Sequence, residues 1–238
     1  LYIYLILNIL IIIFPFLLSF DRKVRFFKSW GPFFGSFLIV GTSFILWDVY
    51  ATAEGHWSFN EEYLVGLRIL GLPVEEIMFF FTVPYACLFT HQSLSHYLEE
   101  RKVPFRSWPY VVIGMVLFVL GVAYWGQGYT SIVLIQMGAL AVILPFIAPW
   151  MLSSRVYWSY MLITFGFFVI FNMVLTAVPV VEYGPEHIWG GDGLFNGRFF
   201  TIPLEDFLYN ISMLTWYLLA FLLIRRCIDQ RRSASREE

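Results

Sequence analysis

Gly71-Leu72-Pro73-Val74-Glu75-Glu76-Ile77-Met78-Phe79-Phe80-Phe81 decides how the rest of the chain is read. Two adjacent carboxylates follow a proline and lead into an uncharged aromatic run. The arrangement returns as Thr201-Ile202-Pro203-Leu204-Glu205-Asp206-Phe207-Leu208-Tyr209, with the proline and both acids displaced by the same 130 positions. Proline suits the first turn of a helix, where its missing N–H would have no helical partner. Acids two and three residues later lie near the positive end of the helix dipole. Met once, the motif is simply a good helix start. Met twice, each time ahead of an apolar run, it puts acid pairs at the mouths of two apolar helices.

Composition says what surrounds those helices. Of 238 residues, 59% are hydrophobic and 13% charged, with a mean hydropathy of +0.72. Soluble domains carry about 25% charged residues. The chain cannot hide so much apolar surface within itself, so its solvent is a lipid bilayer. A net charge of −2 leaves no basic face for nucleic acid. Cys87 and Cys227 fall mid-segment and in the polar tail, which speaks against a disulfide and against a cysteine-rich metal site. The chain opens on Leu1 without a methionine, so a trimmed N-terminus is expected. Its first stretch is too long and too apolar for a signal-peptide core, and no small-residue cleavage site comes after it.

A spanning helix needs about 20 mainly apolar residues. Leu1 to Phe20 qualifies, as do Ser29 to Trp47 (ending at Asp48) and Ile77 to Leu98. Ser107 to Ser154 carries no Asp, Glu, Lys or Arg and fits two spans broken at Gly126-Gln127-Gly128. Val156 to Val181 and Phe207 to Ile224 complete seven. Every Lys and Arg except Arg68 and Arg198 then falls in the turns after spans one, three and five or in the tail. Basic loops stay cytoplasmic, which puts the N-terminus outside and the C-terminus in the cytoplasm of a cell (inner) membrane.

The two long outer loops are alike. One carries His56-Trp57 with Glu54, Glu61 and Glu62; the other carries His187-Ile188-Trp189 with Glu182, Glu186 and Asp192. The expected fold is an all-α integral membrane protein of seven transmembrane helices. It comprises two parallel three-helix repeats, 1–106 and 127–226, joined by a linking helix, 107–126, and ending in a polar cytoplasmic tail, 227–238. Both acid pairs then open on one side and face each other across a pseudo-two-fold axis.

Acids inside a bilayer cost about 2.5–3.5 kcal/mol at a helix centre on insertion scales, and by default they point to function. Two like charges close together in a dry place cannot both stay ionised, so one takes a proton. The result is a proton donor beside a proton acceptor. Phe79, Phe80, Phe81, Tyr85, Phe207, Tyr209 and Trp216 flank the motifs. Aromatic faces hold a cation without trapping it as a nucleophile would. Protonation of an alkene through a carbocation needs this combination, although most of the 26 Phe residues simply pack or face lipid. His91 and His96, five apart, are poorly spaced for a metal on one helix face, and no metal site is expected. His56 and His187 read as loop residues rather than proton relays.

Trp47-Asp48, His56-Trp57-Ser58-Phe59-Asn60, and Leu72-Pro73-Val74-Glu75-Glu76 with Phe79-Phe80 mark the first half. Asn172, Leu175-Thr176, Ile202-Pro203-Leu204-Glu205-Asp206 and Tyr209 mark the second. Together they resemble the integral-membrane lycopene cyclases of the heterodimeric type, which occur as two small subunits, as one fused chain, or joined to phytoene synthase in fungi. The match covers both halves, as in the fused form. The resemblance implies an isomerase that closes the acyclic ends of lycopene into β-ionone rings without redox change. A proton is added at the terminal double bond, the tertiary cation closes, and a ring proton leaves.

The resemblance further implies that Glu75, Glu76, Glu205 and Asp206 act as acids and bases, leaving open which donates and which accepts. Trp47, Asp48, Phe79, Phe80, Asn172, Thr176, Phe207 and Tyr209 would bind substrate or support the acids. Asp48 would orient or relay protons, or else mark a helix end. Asn172 and Thr176 would hold the motif carboxylates, or else glue helices. No cofactor is implied. The implied partners are lycopene and the lipid bilayer, with room for contact with other carotenoid-pathway enzymes.

Rival readings meet obstacles of different size. No Gly-x-Gly-x-x-Gly follows a strand-like run, which disfavours the flavin-binding cyclase type. No aspartate-rich diphosphate motif supports a membrane prenyltransferase. A retinal protein needs a lysine within the last helix, but Lys23, Lys28 and Lys102 all fall in predicted cytoplasmic turns. A proton-coupled transporter of a small lipophilic substrate also suits repeats with paired acids. A non-catalytic carotenoid-binding subunit is the third reading.

Overall fold

The computed structural model describes residues 2–191 and 197–234; Asp192 lies outside the described residues. Among the described residues, seven apolar helices occur in the expected order. They are α1 (Ile3–Leu18), α2 (Phe26–Ala53), α3 (Val74–Tyr97), α4 (Ser107–Ala123), α5 (Gly128–Ile147), α6 (Arg155–Ala177) and α7 (Leu204–Ala234). Five of them, α2, α3, α5, α6 and α7, are long and apolar enough to cross a membrane. The other two have 16 and 17 residues. At about 1.5 Å per residue they fall short of a hydrocarbon core about 30 Å thick.

Several boundaries differ from the sequence expectation: α3 opens at Val74 rather than Ile77, α5 stops at Ile147 short of Ser154, and α6 stops at Ala177, so that Val181 falls in a strand. The second helix does not end at Asp48 but runs on to Ala53, so Asp48 sits inside a helix. The last helix continues through the described part of the supposed polar tail, to Ala234. Within α2, Phe37–Gly41 form a π turn, an insertion that re-aims the helix beyond it and recurs at functional sites. Gly41 is needed there: a Cβ would lie 2.5 Å from the Tyr217 hydroxyl, which donates to the Phe80 carbonyl at 2.8 Å.

Lipid tails are as apolar as leucine, so helix association in a bilayer rests on packing and on interhelical hydrogen bonds. Both are present. Phe26, Phe33, Tyr160, Tyr217 and Phe221 form a fully buried centre. Ser19 with Tyr85 at 2.6 Å, Ser29 with Gln92 at 2.7 Å, and Tyr157 with Thr215 at 3.1 Å tie neighbouring helices. A second cluster, with Tyr4, Trp57, Tyr129, Val180 and Ile188, packs beneath the long loops.

Those loops carry short strands. β1 (Trp57–Phe59) pairs antiparallel with β4 (Val181–Tyr183), Trp57 opposite Tyr183, and so joins the two halves. β2 (Arg68–Ile69) pairs with β3 (Leu72–Pro73), and β5 (Arg198–Phe199) with β6 (Ile202–Pro203). Arg68 faces Pro73 in one hairpin and Arg198 faces Pro203 in the other. Leu70 and Phe200 both adopt φ 55° at the tips. Arg68 donates to the Gly71 carbonyl at 2.7 Å and Arg198 to the Thr201 carbonyl at 2.9 Å. Each hairpin delivers its proline directly ahead of an acid-bearing helix.

Candidate active site

Adjacent acids on a helix cannot share a direction, because 3.6 residues per turn separate neighbours by about 100°. Glu75 and Glu205 therefore turn to the loops, while Glu76 and Asp206 turn inward. Glu75 Oε1 accepts the Val65 N–H at 2.6 Å. Glu205 Oε1 accepts the Trp189 N–H at 2.7 Å and the Thr130 hydroxyl at 2.5 Å. These two acids fasten a loop to the start of each helix. All four are buried, none more than 8% exposed.

Glu76 and Asp206 meet in one cavity of about 80 Å³, with Phe79, Phe80 and Tyr209 in its walls. The Tyr4 hydroxyl donates to Glu76 at 2.5 Å, and the Tyr129 hydroxyl donates to Asp206 at 2.6 Å. Tyr4 and Tyr129 are each the second residue of a helix, α1 and α5. Asp206 Oδ2 also accepts the Asn172 amide and the Tyr183 hydroxyl, both at 2.7 Å. Burial pushes the Tyr183 phenol, in its loop strand, well above its ordinary 10.0, so it remains a donor.

Asp48 lines the same cavity. Its Oδ1 accepts the Trp57 indole N–H at 2.7 Å and the Thr52 hydroxyl at 3.4 Å. Its carboxyl lies within hydrogen-bonding reach of Glu76. Asp48 and Asn172 hold matching positions: each precedes a threonine by four residues and the first residue of β1 or β4 by nine. Trp47 stands behind this group, its ring 5.6 Å from that of His56 and 6.4 Å from that of Trp57. His56 in turn packs on His187 at 4.5 Å between ring centroids.

Several expected neighbours lie elsewhere. Thr176 pairs with the Thr201 hydroxyl at 2.7 Å and its own helix at 2.9 Å, rather than with a motif carboxylate. Phe207 packs among Phe165, Phe168 and Phe199 and does not line the acid cavity. Tyr85 bonds Ser19 and Trp30, well down α3. Trp216 packs against the lower core. The donors Tyr4, Tyr129 and Tyr183 escaped the sequence reading. For Tyr4 and Tyr129 the shared place at helix starts was the available signal, but the two halves aligned on the acid motifs do not bring them into register, and Tyr183 lies in a loop strand.

A larger apolar groove of about 350 Å³ joins the acid cavity. The two share Tyr4, Phe79, Phe168, Asn172 and Leu175. The groove runs between α1, α3 and α6, from Tyr4 to Leu18 along α1, about 21 Å at 1.5 Å per residue. Leu10, Phe14 and Phe167 at its lips are exposed.

A family model described as lycopene cyclase matches residues 1–94 and 126–224. The chain belongs to the lycopene cyclase family. The two matched segments hold one acid motif each, and the stretch between them holds α4. Among curated proteins, the bifunctional lycopene cyclase/phytoene synthase of Pyrenophora tritici-repentis is 28% identical over 122 residues, 44% of this chain and 21% of the relative. The protein of that name from Aspergillus niger is 29% identical over 119 residues, 45% of this chain and 19% of the relative. The chain thus spans about a fifth of the length of these relatives. No solved structure matches it.

Proposed function

We propose that this chain is a lycopene cyclase of the isomerase type, converting the acyclic ψ-ends of lycopene to β-ionone rings. One observation carries the reading: an acid from each motif reaches a common cavity that opens into an apolar groove. A hydrocarbon has nothing for polar groups to grip, so it is held by shape and apolar contact. At about 350 Å³ the groove lies near the low end of small-molecule sites, which run to about 1,000 Å³. It therefore takes one end of a long polyene at a time. Phe79, Phe80 and Tyr209 present π faces to the cation. Glu75 and Glu205 serve by fixing the loops that close the cavity. The reaction is redox neutral, so neither flavin nor nicotinamide enters it.

The finer architecture we infer is seven spans in two parallel repeats, 1–106 and 127–226, linked by 107–126. The matching hairpins, prolines and helix-start tyrosines support it. The short α1 and α4 cross where the bilayer thins locally to meet them. The distribution of Lys and Arg supports an outer N-terminus and a cytoplasmic C-terminus.

The test is expression in lycopene-accumulating cells with pigment analysis, in ordinary and deuterated water. Cyclic carotenoid carrying solvent deuterium in the new ring is expected. Unchanged lycopene beside correctly inserted protein would sink the proposal.

A further inference from the structure

Asp206 and Glu76 are served differently. Asp206 receives three neutral donors, Tyr129, Asn172 and Tyr183. A carboxylate only accepts, and it is favoured in its charged form when several donors point at it. Glu76 receives a single hydroxyl, from Tyr4. Facing it stands Asp48, whose Oδ2 has no donor of its own among the described residues. Two carboxyl groups within reach of each other can bond only through a proton that one of them holds. Asn172 occupies the matching place in the second half and brings its own N–H. Trp57 and Thr52 already donate to Asp48 Oδ1, which favours the charge on Asp48 and the proton on Glu76.

We propose that Glu76 and Asp48 hold one proton between them and that Glu76 delivers it to the substrate, while Asp206 stands ionised as the acceptor. This rests on the cyclase reading of the site. The proton leaves Glu76 for the less substituted carbon of the terminal alkene, and that alkene's π pair forms the new C–H bond. The next π pair closes the ring onto the tertiary cation. A ring C–H then breaks, its electron pair makes the ring double bond, and its proton passes to Asp206. Glu76 and Asp48 are left with two negative charges beside the cation, which attract it. The proton returns to Glu76 across the cavity both acids line. Asp48 is a positioning residue in this scheme, holding the proton on Glu76 between turnovers.

Infrared difference spectra of the purified full chain, without substrate, decide the matter. Wild type minus Glu76→Gln should show the C=O stretch of a protonated carboxylic acid that shifts in D2O. The same band should vanish in Asp48→Asn, although Glu76 is still present, because the new amide donates to it as Asn172 does to Asp206. It should survive in Asp48→Glu and in Asp206→Asn. Asn172→Asp should add a second such band. Ring formation by Asp48→Asn should fall by about 10²–10⁴-fold, the usual reach of general acid catalysis, with lycopene still bound. No Glu76-dependent band in wild type, or an undiminished band in Asp48→Asn, overturns the proposal. If Asp48→Asn does not fold, Asn172→Asp decides alone, and the absence of an added band counts against it. The expected bands in a wild type that leaves lycopene unchanged would defeat the cyclase reading and spare the shared proton.

Discussion

Glu76 and Asp206 begin matching helices, lie behind matching hairpins and receive matching tyrosines, yet their remaining neighbours differ in kind. In the first half the facing residue is Asp48, a second carboxyl. In the second it is Asn172, an amide donating at 2.7 Å. The strand pair between the halves adds to the difference. Trp57 and Tyr183 are register partners, but Trp57 serves Asp48 while Tyr183 serves Asp206. The two acid motifs thus sit in matching local frames, and on the reading proposed above the exchange of carboxyl for amide is what makes the cavity directional. A cavity with two identical acids would have no reason to give a proton at one side and take it at the other.

The largest effect that tests this contrast is on turnover. Glu76→Gln and Asp206→Asn should each lower cyclic carotenoid per inserted protein by about 10²–10⁴-fold. Near-normal output from either would break the comparison at its centre. The tyrosines sharpen it. Tyr129→Phe removes a bond to a charged acceptor, worth about 1.5–3 kcal/mol, whereas Tyr4→Phe removes one to a proton-sharing carboxyl, nearer about 0.5–1.5 kcal/mol. Thermal unfolding in detergent should rank Tyr129→Phe as the more damaging, and the reverse order would contradict the assignment of charge.

Thr176→Val should cost about 0.5–1.5 kcal/mol through its bond to Thr201 and leave product per protein unchanged. A large loss of activity there would restore the carboxylate-binding role that the structure does not show. The smallest effect concerns the outer loops. Burial first, then the charge of His187, lowers His56 from its ordinary 6.5. The unfolded chain therefore binds more protons than the folded one just below that value. Stability is fully present above about pH 6.5 and declines as the pH falls toward the folded value. Denaturation midpoints across the mildly acidic range should show this decline, and His56→Gln should flatten it.

Much of the frame was legible because apolar runs and charge-bearing turns announce helices in a bilayer. The break at Gly126-Gln127-Gly128 falls between α4 and α5, and Gly128 leaves room for the His56 ring against the start of α5. Asp48 misled, since a lone acid in an apolar run reads as a helix end. Its partners, Trp57 nine residues on and Glu76 on another helix, lie beyond any local window. Helical periodicity already forbade adjacent acids from pairing with each other, yet the eye pairs what stands side by side. Tyr4 and Tyr129 look like ordinary aromatic residues until their hydroxyls meet carboxyls 72 and 77 positions away.

The groove has lips of Leu10, Phe14 and Phe167, side chains exposed between apolar helices. On the cyclase reading proposed above, a reactant slips in there from the lipid rather than from the aqueous phase. Its effective abundance is then a mole fraction among lipids or detergent molecules, and adding empty micelles dilutes it at constant molarity. Saturation curves plotted against moles of lycopene per litre would shift with every change of detergent, whereas curves plotted per micelle would superimpose.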